Sequence, residues 1–181
     1  RQVTIGGTSH KVPDLFMVMA TQNPAGQEGT FPMPEAQMDR FLMHVIVNYP
    51  DEEAEANIIR LVREEQTQKN KHKDIHAGER KITTQETIFA ARGEIDKITV
   101  PPHVEKYMVD LIFSTRYPQR YTYELKSFIA VGVSPRASIA LDKVCRAYAW
   151  LKGEKEVSIE TVQIMLGTVF RHRIIRGERA I

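Results

Sequence analysis

The sequence predicts an α/β fragment followed by an all-helical domain, and two observations carry that expectation. Residues 15–20 (LFMVMA) are consecutive apolar residues that run into the polar Thr21, Gln22 and Asn23. Such an unbroken run reads as a strand buried on both faces, and strands of that kind belong to parallel sheets covered by helices. From Asp51 onward the apolar residues recur instead at helical spacing. Tyr49-Pro50-Asp51 breaks the pattern, which places a domain boundary there: residues 1–50 form the α/β part and residues 51–181 the helical part.

Each element has its own cue. Residues 2–12 alternate around Gly6-Gly7, with Val3 and Ile5 before the turn, and read as a hairpin leading into the buried strand. Residues 43–47 make a second strand. Between the two strands lie a loop containing Gly26 and Gly29 and a short helix opened by Pro34 and Glu35, a proline and an acid where a helix start favours them. After Asp51 the first helix has Glu52 and Glu53 in its first turn and Ala54, Ile58, Leu61 and Val62 on one face. Residues 66–81 are polar and charged and read as a connector. Thr83 and Glu86 have capping-box spacing ahead of Ile88, Phe89 and Ile95.

Pro101-Pro102 then precede a helix burying Val104, Tyr107, Met108, Leu111 and Ile112. Residues 121–132 are ambiguous. Ser134 and Pro135 open a strongly amphipathic helix carrying Ala137, Ala140, Leu141, Val144, Tyr148 and Leu151, which Gly153 ends. The last helix starts near Ser158 and buries Val162, Met165, Leu166, Val169 and Phe170. Arg171, His172 and Arg173 sit at its C-terminus, the negative end of the helix dipole.

Composition excludes several classes. The lone Cys145 rules out an internal disulfide and a cysteine-rich zinc site, and fits a reducing compartment. No apolar run approaches membrane-spanning length. A formal net charge of +2 is too small to imply nucleic acid as a partner. The four arginines Arg171, Arg173, Arg176 and Arg179 are expected to be a charged helix end rather than a nucleic-acid patch.

The segment from Phe16 to Phe41, FMVMATQNPAGQEGTFPMPEAQMDRF, carries an apolar strand into a polar tip and then an acidic-basic helix. In open parallel sheets ligands bind at the C-terminal ends of strands, so a carboxamide at such a tip can orient a water or a phosphate oxygen. The pattern ATQNP-x-x-x-EGT-x-P-x-PEAQ-x-DRF resembles the MoxR family of AAA+ ATPases, and the resemblance continues through Gly132-Val133-Ser134-Pro135-Arg136-Ala137 and the closing VFRHRI. It implies the sensor-bearing end of an AAA+ P-loop NTPase α/β core over residues 1–50 and a helical lid over residues 51–181. No G-x-x-x-x-G-K-[ST] phosphate loop occurs, and no glycine precedes a lysine. An apolar strand ending in Asp-Glu is also missing, since Met108-Val109-Asp110 lies in a helical pattern. The chain is therefore expected to be the C-terminal portion of a longer protein, inactive as an ATPase alone, with ATP and Mg2+ bound mainly by the other half.

The resemblance also assigns roles. Asn23 matches sensor 1, which positions the attacking water; alone, an Asn before Pro is ordinary turn chemistry. Arg40, in Asp39-Arg40-Phe41, matches the arginine finger offered to the adjacent subunit's nucleotide, where the bland reading is a dipole partner or a surface ion pair. Arg136 matches sensor 2, with Val133 replacing the usual Ala of the segment. It lies in the first turn of its helix, the positive end, where a cation is locally unfavourable; helix N-termini attract phosphates, so a bound anion is expected to compensate.

Glu28 and Glu35 read as solvated or capping acids. His72 and His76 have i, i+4 spacing but no third ligand, so no metal site is expected. Tyr148, Cys145 and Trp150 read as core and rim of the bundle. The resemblance further implies a hexameric ring, cytoplasmic location, and chaperone-like action on partner proteins, among them proteins with von Willebrand factor A domains. Two other classes compete. A nucleotide-independent helical adaptor would not need Asn23, Arg40 and Arg136 together. A DNA-binding module would need a basic recognition helix, whereas residues 134–152 are mostly apolar.

Overall fold

The computed structural model describes residues 2–22, 33–70 and 83–177. Gln2–Ile5 (β1) and Thr8–Lys11 (β2) form the expected antiparallel hairpin, with Gln2 opposite Lys11 and Ile5 opposite Thr8. Its two-residue turn requires positive φ twice, and Gly6 (56°) and Gly7 (81°) adopt it without a Cβ clash.

The two expected core strands are not formed. Residues 15–20 and 43–47 carry neither helix nor ladder, and Met17 and Val47 are 76 % and 89 % exposed. A strand buried on both faces needs neighbouring strands and covering helices. Among the described residues no strand pairs with either run. Between them stands Glu35–Met38 (α1), a single turn entered through Pro34.

The chain then becomes helical: Glu52–Asn70 (α2), Gln85–Ile95 (α3), Pro102–Arg116 (α4), Tyr123–Phe128 (α5), Pro135–Leu151 (α6) and Ile159–Phe170 (α7). In α2 the helix continues through residues 66–70, where a connector was expected, and the stripe of Ile58, Leu61 and Val62 is exposed rather than buried. The helical period holds, but burial depends on a covering element that the period does not supply. The cap of α3 is Thr84, one residue beyond Thr83, because it is the Thr84 side chain that accepts from the Thr87 amide at 3.3 Å.

The core lies between α4, α6 and α7. Val104, Met108 and Ile112 of α4 meet Leu141, Val144 and Cys145 of α6 and Val162, Val169 and Phe170 of α7. Ala137, Ala140 and Ala149 keep the buried face of α6 small, which lets the neighbouring helices approach closely. Leu151, expected in this face, is 74 % exposed in the last turn of α6, just before Gly153 turns the chain at φ 75°. Trp150 sits at the rim, its Nε1 donating to Glu94 Oε2 at 2.8 Å.

The helical part is not purely helical. Ile129–Val131 (β3) pairs antiparallel with Ile175–Arg176 (β4), Ile129 opposite Arg176 and Val131 opposite Ile175, with a bulge between. The ladder draws the segment after α7 back beside the start of α6. That start is itself fixed from behind: Thr115 Oγ1 accepts from the Val133 amide at 3.2 Å and donates to the Ile112 carbonyl at 2.8 Å. Gly132 passes so close that an added Cβ would lie 2.3 Å from the Thr115 carbonyl oxygen. Among the described residues no helix is long and apolar enough to cross a membrane.

Candidate functional site

Two local signals bring the site together. Pro34 starts α1, and the turn closes through the Arg40 amide to Gln37 at 3.1 Å and the Phe41 amide to Met38 at 3.0 Å. Ser134 caps α6 by accepting from the Arg136 amide at 3.1 Å, with Pro135 at the first helical position. The same Ser134 hydroxyl donates to the Asp39 carboxylate, 2.9 Å from each oxygen. One side chain thus caps α6 and holds the end of α1.

Asp39 is the centre of the arrangement. Beyond Ser134, its carboxylate lies 3.1 Å from Arg136 Nη1 and 3.1 Å from Arg173 Nε. Burial opposes its charge, but the hydrogen bonds from Ser134, Arg136 and Arg173 outweigh that and hold its pKa below the ordinary carboxylate value. A bound anion is expected beside Arg136, but the negative charge that meets it is the chain's own Asp39 carboxylate. It offsets the unfavourable placement of a cation at the first turn of α6.

Arg173 departs most from expectation. Arg171 does serve the end of α7, its Nε donating to the Gly167 carbonyl at 2.7 Å. Arg173 instead has only 2 % of its side chain exposed and turns towards residues 39–42. Nη1 donates to the carbonyls of Leu42 (3.3 Å) and Val169, and Nη2 to those of Asp39 (3.2 Å) and Phe41. Burial lowers its pKa, and the Asp39 carboxylate opposes that shift. In the sequence Arg173 was one more basic residue after a helix. Nothing local marks it as buried, except that it stands beside the apolar Ile174.

Arg40 is exposed and makes no ion pair among the described residues. With Asp39, Leu42, Arg136, Lys143 and Arg173 it lines an open cleft of about 210 Å³. A cleft with several cations and one carboxylate already engaged suits a multiply charged anion such as a phosphate. It offers nothing for a divalent cation, and no group of three metal-ligating side chains occurs among the described residues. Asn23, Glu28, His72 and His76 lie outside the described residues. Asp110 is a half-buried acid on α4, as its helical pattern implied, and pairs with Lys106 at 2.8 Å. Cys145 is fully buried with its thiol pushed up to about 12 by burial, so it is not a nucleophile at neutral pH.

Comparison with known proteins matches both ends of the chain to described families. Residues 1–43 match the ATPase family associated with various cellular activities (AAA), and residues 124–180 match the AAA lid domain. Chaperone MoxR1 of Mycobacterium tuberculosis is 36 % identical over 97 % of this chain and 44 % of its own length. YeaC of Bacillus subtilis is 34 % identical over 96 % of this chain and 49 % of its own. The chain thus spans about half the length of the curated relatives it matches. A crystal structure of a candidate ATPase from Cytophaga hutchinsonii superposes with a TM-score of 0.84 at 37 % identity, covering 99 % of this chain and 52 % of that one. A core pattern running through the Asp39-Arg40-Phe41 turn, a lid pattern spanning Arg136 and Arg173, and a matching fold over nearly the whole chain place it in the MoxR family of AAA+ ATPases.

Proposed function

We propose that these residues are the sensor-and-lid portion of a MoxR-like ATPase, in which ATP binding and hydrolysis by an oligomeric ring drive chaperone-like remodelling or maturation of partner proteins. The supporting observation is that Arg40 and Arg136, from separate parts of the chain, line one cleft, and that Arg40 is free of ion pairs among the described residues. AAA ATPases use a nucleotide with Mg2+. The cleft fits the phosphate end of such a ligand and not the metal, so the phosphate loop and the magnesium ligands are assigned to the rest of the protein. Residues 1–50 are its contribution to the α/β core and residues 51–181 its lid. The exposed apolar runs at residues 15–20 and 43–47 are then strands awaiting sheet neighbours.

The roles follow from charge. Phosphoryl transfer develops negative charge on the γ-phosphate oxygens, and a guanidinium held in place beforehand stabilises it. Arg40, exposed on a one-turn helix, is the arginine finger and acts on the adjacent subunit's nucleotide. Arg136 is sensor 2. Because both line the same cleft, a phosphate bound there lies near both. Asn23, at the tip of the first apolar run, is sensor 1 and orients the attacking water. A hexameric ring, cytoplasmic location and partners with von Willebrand factor A domains complete the proposal.

A mixing experiment tests action in trans. Full-length Arg40→Ala subunits are combined with subunits whose own phosphate-binding site is inactivated, and co-assembly is verified. Each variant alone is inactive, and the mixture regains part of the wild-type turnover by pairing an intact finger with an intact pocket. Mixed rings as inactive as each variant alone would refute it.

A further inference from the structure

We propose that Arg173 is the positioning residue for Arg40, a clamp by which the end of the lid sets where the arginine finger points; the inference rests on the reading of Arg40 given above. A guanidinium has five N–H donors in a rigid fork, and Arg173 uses every one. Nε goes to the Asp39 carboxylate, Nη2 to the carbonyls of Asp39 and Phe41, and Nη1 to those of Leu42 and Val169. Only the Val169 bond goes back to α7, the helix that Arg173 follows. The others fall on residues 39, 41 and 42, on both sides of Arg40 and never on Arg40 itself. The backbone is thus fixed before and after the finger while its side chain is left exposed for a ligand.

The alternative is that Arg173 merely fills space, and the pattern of its bonds argues against this. A buried cation is costly unless paired and fully hydrogen-bonded, and an apolar side chain would fill the same volume without that penalty. The fork matches carbonyls that diverge from a one-turn helix too short to hold itself. Four residues of α-helix make barely one turn of hydrogen bonds, so α1 needs outside support to keep a fixed direction. His172 adds a weaker contact from the same side, its Nε2 lying 3.4 Å from the Phe41 carbonyl oxygen.

The test uses the full-length protein with Arg173→Lys, which keeps the charge but replaces the fork with a point donor. Turnover falls on the order of 10- to 100-fold, as a misplaced group does, while KM for ATP stays nearly unchanged because the subunit's own pocket is intact. Mixing Arg173→Lys with pocket-inactivated subunits restores turnover as mixing Arg40→Ala does. Wild-type turnover by Arg173→Lys overturns the clamp. So does restoration with Arg40→Ala but not with Arg173→Lys, which marks Arg173 as a general structural residue. Failure of both mixtures overturns the trans reading on which the clamp rests. A measurement on the unmodified protein covers the case in which the variant does not fold: the Arg173 Nε–H, read by NMR, exchanges with solvent far more slowly than that of Arg40, and equal rates contradict the clamp.

Discussion

The Asp39 carboxylate lies 3.1 Å from the Arg136 guanidinium and joins the turn after α1 to the first turn of the lid's longest core helix, across 97 positions of sequence. The same carboxylate holds Arg173 at 3.1 Å. The two arginines differ sharply in surroundings: the side chain of Arg136 is 63 % exposed, and that of Arg173 is 2 % exposed. That difference separates their contributions to stability from their contributions to ligand binding.

Arg136→Ala is expected to cost about 0–1 kcal/mol, the range for a solvent-screened pair, because Asp39 keeps Ser134 and Arg173. Nucleotide affinity and nucleotide-dependent assembly of the full-length protein are lost together. Asp39→Ala strands the buried Arg173 charge and is expected to cost about 3–5 kcal/mol. Thermal melting of both variants, with ATP-dependent assembly followed by ultracentrifugation, checks the pair. An Arg136→Ala protein that melts many degrees lower yet assembles normally would make Arg136 a structural residue.

Helix α6 of the lid was legible because it is written locally. Ser134-Pro135 encodes a cap and a first helical turn, Gly153 encodes the exit, and the small and branched residues between them repeat at helical period. The unfavourable charge of Arg136 pointed to a bound anion. That the chain's own Asp39 would take that place, and that Arg173 would turn inward, depends on pairings across as many as 134 positions that no local rule encodes. The unformed strands and the exposed stripe of α2 have another origin. An apolar run states that it needs cover, not what covers it.

Stability is expected to fall in mild acid. Burial, followed by the Arg173 charge, lowers the pKa of His172 from 6.5, against a smaller raising contact with the Phe41 carbonyl. The unfolded chain takes up a proton near pH 6.5 that the folded chain refuses until lower pH. This contribution is therefore complete above that value and is lost as the pH drops towards the folded pKa. Melting temperatures measured from about pH 7.5 to about pH 5.5 should decline, and His172→Gln should flatten the slope. An unchanged slope in the variant would assign the acid sensitivity to other groups.

Gly132→Ala is expected to destabilise the lid by about 1–3 kcal/mol, the usual range for overpacking. The new Cβ would lie 2.3 Å from the Thr115 carbonyl oxygen, which is backbone and cannot swing away. The displacement would also disturb the Thr115 bond to the Val133 amide just ahead of the Ser134 cap. Denaturant titration checks this, and a midpoint equal to wild type would show that the backbone relaxes freely there.

The 181-residue chain by itself is expected not to hydrolyse ATP, because it contains no phosphate loop. Phosphate release by the purified chain, with and without Mg2+, is the measurement. Release above a buffer control that requires both the chain and Mg2+ would place a complete active site within these residues.

The most direct measurement of the proposed function is steady-state turnover by full-length Arg40→Ala beside its equilibrium affinity for ATP. Arg40 is exposed, lines the cleft with Arg136 and has no ion pair to lose among the described residues, so its removal should leave folding and ATP affinity close to wild type. Turnover should fall on the order of 10³-fold or more, as it does when an arginine finger is lost. Wild-type turnover by a folded, ATP-binding Arg40→Ala protein would contradict the assignment.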